Sequence, residues 1–301
     1  MVERGASTQA GTLLLVLWTQ NMKILIVGLG LMGGSMARAL KYYTDHTVVG
    51  YDTSREAMRK ALLVGACDEV CGELPELSGF DSVILAAYPA ATVEFLTKHS
   101  GKLKKDAFVF DLGGIKRQVC EVGFKAAKEN RFVFIGGHPM AGTQFSGFEA
   151  SRETLYRNAT MLLVPPKDID VRSLDAAVRL FKSVGFASVK VTSAEDHDRI
   201  IAYTSQLAHI LSNAYVKSPT AREHHGYSAG SFRDLTRVAH LNPRMWSELF
   251  MENRDNLIPE VERLAASLLE YADAMKSGDA ERLERLLADG SRINDEIKSE
   301  N

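Results

Sequence analysis

Hydrophobic residues in the first two-thirds of the chain come in short, nearly unbroken runs, whereas in the last third they recur every three or four positions. The runs are KILIV from Lys23, HTVVGYD from His46, DSVILAAYP from Asp81, AFVFDLGG from Ala107, RFVFIGG from Arg131, TMLLVPP from Thr160 and FASVKV from Phe186. Most are closed by glycine, proline or aspartate. Continuous apolar runs of this length are strands covered on both faces, as in a parallel sheet sandwiched by helices. Helical or loop segments lie between several of them, and SMARAL sets Met36 and Leu40 four apart on one helical face. The pattern predicts a doubly wound α/β sheet over residues 22–191.

After Thr192 the period changes to that of helices. In AEDHDRIIAYTSQLAHILSNAYV, the residues Ile200, Tyr203, Leu207, Ile210, Leu211 and Ala214 form an apolar stripe, and a different face carries Ser205, Gln206, His209, Ser212 and Asn213. Ser205 and His209, four apart, lie one above the other, on a face that is either solvated or turned to a ligand. In GSFRDLTRVAHLNPRMW, the capping-box spacing of Ser231 and Asp234 predicts a helix start. Arg233 and Arg237 then sit near its positive end, where cations gain nothing, so either an acidic side chain or an anionic ligand is expected to face them. Trp246 follows an Asn-Pro helix start and fits a core position. Two amphipathic helices, broken near Ser277–Gly278, complete the tail. Their apolar stripes (Leu264, Leu268, Leu269, Met275; Leu283, Leu286, Leu287, Ile293) exceed the needs of one small helical domain and predict a homodimer. Residues 192–301 are thus expected to form an all-helical substrate and dimerisation domain.

Composition narrows the partners. The 301 residues are 46% hydrophobic and 25% charged, enough for two domains with real cores, and the net charge of -2 gives no reason to expect nucleic acid or an anionic membrane. The three cysteines (Cys67, Cys71, Cys120) lack His/Cys partners at zinc-site spacing, so no metal is expected and the thiols read as reduced, in a cytoplasmic protein. Near the amino terminus, TLLLVLW is too short to span a bilayer and no clear small-residue cleavage site follows it. Met22 looks like a natural start, and residues 1–21 are expected to be an extension without a role in the fold.

Candidate chemistry begins at the first turn. Gly28, Gly30 and Gly33, with Leu31 and Met32 among them, make G-x-G-x-x-G between a strand and a helix, the setting in which such glycines admit a pyrophosphate to the helix amino terminus. Asp52 closes the second strand 19 residues past Gly33, where a carboxylate bonds an adenosine ribose and repels a 2′-phosphate. The cofactor is therefore expected to be NAD, although Ser54 and Arg55 beside Asp52 are residues that suit NADP. Ala87 and Pro89 at the end of one strand, and Gly113 and Gly114 at the end of the next, should line the cofactor crevice. His138, in GGHPMAGTQFSG, sits at the carboxyl end of a further strand. There it is either a histidine bonded to nearby backbone or a base that meets the substrate at the nicotinamide end.

Taken together, GLGLMGGS, DLGGIK, GGHPMAG, the HD…S-x-x-x-H helix and FRDLTRVA…W resemble the prephenate dehydrogenase family of tyrosine biosynthesis, in this order from Met22 nearly to the end. The resemblance implies a Rossmann domain, a helical dimerisation domain, and NAD-dependent oxidative decarboxylation of prephenate to 4-hydroxyphenylpyruvate between them. It implies that His138 is the catalytic histidine, that Arg237 binds a substrate carboxylate, and that Ser205, His209, Thr143 and Trp246 belong to the substrate site. Two departures stand out. Many members carry a serine at the position of Gly114, supporting the histidine, and many read S-H-L-P-H where this chain has Ser205-Gln206-Leu207-Ala208-His209.

Arogenate, the amino counterpart of prephenate, is the alternative substrate. Its ammonium calls for a nearby carboxylate, whereas this chain offers Gln144, Gln206 and His209, which favours prephenate. Two further readings share the first half of the chain: another NAD(P)-dependent dehydrogenase with a helical second domain, and a non-catalytic NAD-binding sensor. The former generally relies on a lysine or hydroxyl in its second domain, and the latter has no use for His138 or Arg237.

Overall fold

The computed structural model describes residues 21–299; the extension predicted over residues 1–21 lies almost wholly outside them. Eight strands form one sheet in the order β3-β2-β1-β4-β5-β6-β7-β8. They are β1 (Lys23–Val27), β2 (Thr47–Tyr51), β3 (Glu69–Cys71), β4 (Ser82–Leu85), β5 (Phe108–Asp111), β6 (Val133–Pro139), β7 (Thr160–Val164) and β8 (Ser188–Val191). The first six pair in parallel in the order of a dinucleotide-binding sheet. The short β3 is too brief and too polar to stand out in the sequence. At β7 the chain departs from uniform winding: it runs antiparallel to β6, with Gly137 opposite Leu163 and His138 opposite Leu162. No crossover helix lies between β6 and β7, and the loop of residues 140–159 simply turns the chain back.

Helices α1 (Leu31–Tyr43), α2 (Arg55–Leu63), α3 (Pro89–His99), α4 (Arg117–Asn130) and α5 (Val171–Ser183) cover the two faces. Alternation along β1 divides the core: Ile24 and Ile26 join Met36 and Leu40 of α1 and Leu180 and Phe181 of α5, while Leu25 and Val27 join Phe95 and Leu96 of α3 and Val119 of α4. The helix starts have local causes. Ser54 accepts the Ala57 N–H and Asp170 the Ser173 N–H, each removing one orphan donor.

The rest of the described chain is helical. A single run comprises α6 (Ala194–Ile201), a π turn (Ala202–Leu207) and α7 (Ala208–Tyr215); it is followed by α8 (Gly230–Thr236), α9 (Pro243–Glu252), α10 (Arg254–Ser277) and α11 (Ala280–Ser299). Gly278, at φ 68°, closes α10 in the left-handed conformation, at the predicted break. The π turn overturns the 3.6-residue stripe expected here. Ile200 and Tyr203 are 42% and 59% exposed, whereas Gln206 and Ser212, placed on the polar face, are buried. Ala202, Leu207 and Leu257 form a small core against α10, and Leu268, Leu269 and Met275 of α10 and Leu287, Ile293 and Ile297 of α11 remain exposed. Among the described residues, no helix is long and apolar enough to cross a membrane.

Candidate active site

The glycine turn between β1 and α1 has the form of an anion cradle. Gly28 has φ +94°, and a Cβ at Gly33 would lie 1.8 Å from the Gly28 carbonyl oxygen, so no other residue fits there. A Cβ at Gly30, by contrast, would meet nothing within 4 Å: this backbone is open to approach. No side chain caps α1 and no acid stands in its first turn, which leaves its amides to a pyrophosphate. Leu31 and Met32 begin that helix. Asp52 Oδ2 accepts the Leu29 N–H at 2.6 Å and Oδ1 the Ser54 N–H at 2.7 Å, so this carboxylate joins the end of β2 to the cradle. These residues fit a dinucleotide. Ala87 follows β4, and Pro89 is the first residue of α3, with the next amide, Ala90 N–H, donating to Glu248 of α9 at 2.6 Å.

His138 is the penultimate residue of β6, just before Pro139, and is half-buried. Its Nδ1 lies 2.9 Å from His197 Nε2, and His197 Nδ1 lies 2.7 Å from Asp198 Oδ1. The carboxylate fixes the direction of this chain. Asp198 can only accept, so His197 donates through Nδ1 and accepts through Nε2; His138 then donates through Nδ1 and keeps its lone pair on Nε2. That nitrogen faces Gly114, where a Cβ would stand 4.0 Å from it. Burial, then His197 and Lys116, hold His138 well below the ordinary histidine range, so its ring is neutral. Burial would raise Asp198, but hydrogen bonds from His197 and from the Arg117 and Lys116 amides outweigh it and keep the carboxyl below its usual value. The group that holds the His138 ring is thus His197, contributed by α6.

Asp198 also sits on the amino terminus of α4, accepting the Lys116 N–H at 2.8 Å and the Arg117 N–H at 3.0 Å. Arg117 continues to Asp255, at 2.5 and 2.6 Å, and to Asn253 Oδ1 at 3.2 Å. His197 and Asp198 stood in the sequence as an adjacent pair without an assigned role. The helix period gave no sign that both would be buried, and only the paired ring nitrogens show what they do.

The helical side answers the other expectations unevenly. His209 donates from Nδ1 to the Ser205 carbonyl at 2.8 Å, and its ring packs on Trp246 with centroids 4.1 Å apart. Its burial and the nearby Arg237 keep its proton affinity low. Gln206 is a correction. Its amide donates to the Leu249 carbonyl at 3.1 Å, its oxygen accepts from Asn253 at 2.8 Å, and the side chain is buried, so its hydrogen bonds go to the helical domain itself. The predicted cap of α8 is a second correction: the helix starts at Gly230 with no side-chain cap, and Arg237 stands at its carboxyl end, not its positive end. The dipole argument for an anion therefore fails. Another observation replaces it, since the exposed guanidinium groups of Arg233 and Arg237 have no hydrogen bond or ion pair among the described residues. Thr143 is occupied with Phe145 in the loop after β6, and Gln144 is exposed there.

Comparison with known proteins identifies the family. The nucleotide-binding domain model of prephenate dehydrogenase matches residues 36–191, and the dimerization domain model of the same enzyme matches 193–289. The structure of prephenate dehydrogenase from A. aeolicus in complex with hydroxyphenyl propionate and NAD+ is 31% identical, with a TM-score of 0.81 over 92% of this chain and 99% of that one. Arogenate dehydrogenase from Synechocystis is 25% identical, with a TM-score of 0.74 over 92% of this chain and all of its own. Cyclohexadienyl dehydrogenase from Zymomonas mobilis is 30% identical over 86% of this chain and 90% of its own. With both domain models matched in order over most of its length, the chain belongs to the prephenate dehydrogenase family.

Proposed function

We propose that this protein is a cytoplasmic homodimer that oxidatively decarboxylates prephenate to 4-hydroxyphenylpyruvate. The observation that carries this reading is the lone pair of His138 Nε2, held toward the cleft by His197 and Asp198. NAD, when bound on the glycine cradle, supplies the hydride acceptor. As hydride leaves the ring carbon bearing the hydroxyl, His138 takes the hydroxyl proton and stabilises the forming carbonyl. The bond to the ring carboxylate then breaks, its electron pair moves through the ring onto that carbonyl oxygen as carbon dioxide departs, and the resulting phenolate takes back the proton held by His138 to become a phenol. Arg237 holds a substrate carboxylate in register beside His209 and Trp246, and its contribution is orientation, since clamping the departing group would oppose its loss.

Substrate choice follows from charge. Arogenate carries an ammonium that a partly desolvated pocket must pair, and the loop after His138 presents neutral Gln144. Prephenate, with a keto group there, needs no such partner. Measuring kcat/KM with NAD for both compounds tests this: a higher value is expected with prephenate, and an equal or higher value with arogenate overturns the choice.

A further inference from the structure

Lys116 is fully buried, and the reaction as described leaves it without a task. Its Nζ is paired with Asp111 Oδ2, which also accepts the Gly113 N–H at 2.9 Å, while Asp111 Oδ1 accepts the Gly137 N–H at 3.1 Å. Its own N–H donates to Asp198 Oδ1, the oxygen that holds His197. One residue thus touches both supports of the base: the strand ends that carry His138 and the carboxylate that orients His197. On the reading that His138 is the base, we propose that Lys116 is its positioning residue, locking Asp111 between the Gly113 turn and β6 and facing the two histidines with a fixed positive charge.

The charge answers a problem that the His197–Asp198 pair creates. A carboxylate beside an imidazole favours the imidazolium, and a protonated His197 could no longer accept from His138. Around His197 the acids Asp198 and Asp111 pull toward the charged form; burial and Lys116 oppose them, and the balance lies below the ordinary histidine range. Around His138, burial, His197 and Lys116 all act in the same direction. Arg117 Nε also pairs with Asp198 Oδ2, at 3.3 Å, but it is Lys116 whose charge opposes protonation of both rings while the carboxylate keeps its orienting bond. A buried ion pair is a poor way to fill a core, since apolar residues of equal volume stabilise as well or better. A role in setting the base gives this one a reason.

The test uses Lys116→Met and, in case an unpaired Asp111 prevents folding, the volume-conserving double variant Asp111→Asn/Lys116→Met. Imidazole titrations by NMR, assigned with His138→Asn, should show His138 moving up by about one pH unit in either variant. The acid limb of kcat/KM should move with it, and kcat should fall about 10- to 100-fold while the KM for NAD stays near its original value. An unmoved His138 titration in a folded variant, with kcat reduced only in proportion to folded protein, would make Lys116 merely structural and overturn the proposal. The titration needs no substrate. A wild-type protein inert toward prephenate would count against the reaction, and the fate of Lys116 would still be read from the rings.

Discussion

The direction of one proton sets the chemistry at the scale of single residues. Because Asp198 accepts and cannot donate, His197 and His138 each carry their ring hydrogen on Nδ1, and Nε2 of His138 is left with a free lone pair, the atom proposed to take the substrate proton. The same accounting removes Gln206, whose amide is consumed by Leu249 and Asn253, and leaves Arg237, which nothing in the described chain pairs. Arg237 is exposed, so its bond to a carboxylate is partly screened, and its worth lies in the range of charge-assisted hydrogen bonds rather than of fully buried pairs. Arg237→Ala should raise the KM for prephenate by about 1.5 to 3 kcal/mol, roughly ten- to a hundredfold, with a smaller change in kcat. Steady-state kinetics in prephenate, at saturating NAD, measure this directly; an unchanged KM would assign the arginine to structure.

At the scale of elements, what was legible in the sequence followed from burial on both faces. Seven strands were apparent because each is a continuous apolar run, and the glycine turn because its residues have only one use between a strand and a helix. β3 escaped because three residues, two of them half-buried and one exposed, leave no pattern. The face of the first long helix was misjudged because a π turn over Ala202–Leu207 shifts the register by part of a turn between the residues before it and those after it, so that Gln206 and Ser212 are buried while Ile200 and Tyr203 are exposed. The His197–Asp198 pair was hidden for the same kind of reason: its partners come from β6 and the start of α4, far off in sequence. The second strand bears on cofactor choice. Asp52, bonded to the Leu29 and Ser54 amides, closes β2 beside the glycine turn, the position from which the sequence predicts a bond to the adenosine ribose. Asp52→Ser should relax the preference for NAD over NADP, read as the ratio of kcat/KM for the two cofactors. A wild-type preference for NADP would mean that Arg55 governs the site.

At the scale of the molecule, the two halves are joined at the proposed catalytic histidine. His138 belongs to the sheet and His197 to the helices; Arg117 ties α4 to Asp255, and Glu248 reaches the first turn of α3. The exposed apolar residues of α10 and α11 are a surface that a second copy of the chain is expected to cover. Sedimentation at micromolar concentration should give a dimer, and a monomer would contradict that assignment.

The central claim is that a neutral His138 takes the substrate proton during NAD-dependent oxidation of prephenate. The most direct measurement follows NADH absorbance from prephenate and NAD, for the wild type and His138→Asn, across pH. Since His138 is held well below the ordinary histidine value, the neutral base persists as pH falls through 6.5 and is lost only on reaching its lower titration point. The wild type should thus form NADH with an acid limb below pH 6.5. His138→Asn should lower kcat by about two to four orders of magnitude with little change in NAD affinity. Near-normal turnover in the variant, or no NADH from prephenate in the wild type, would contradict the account.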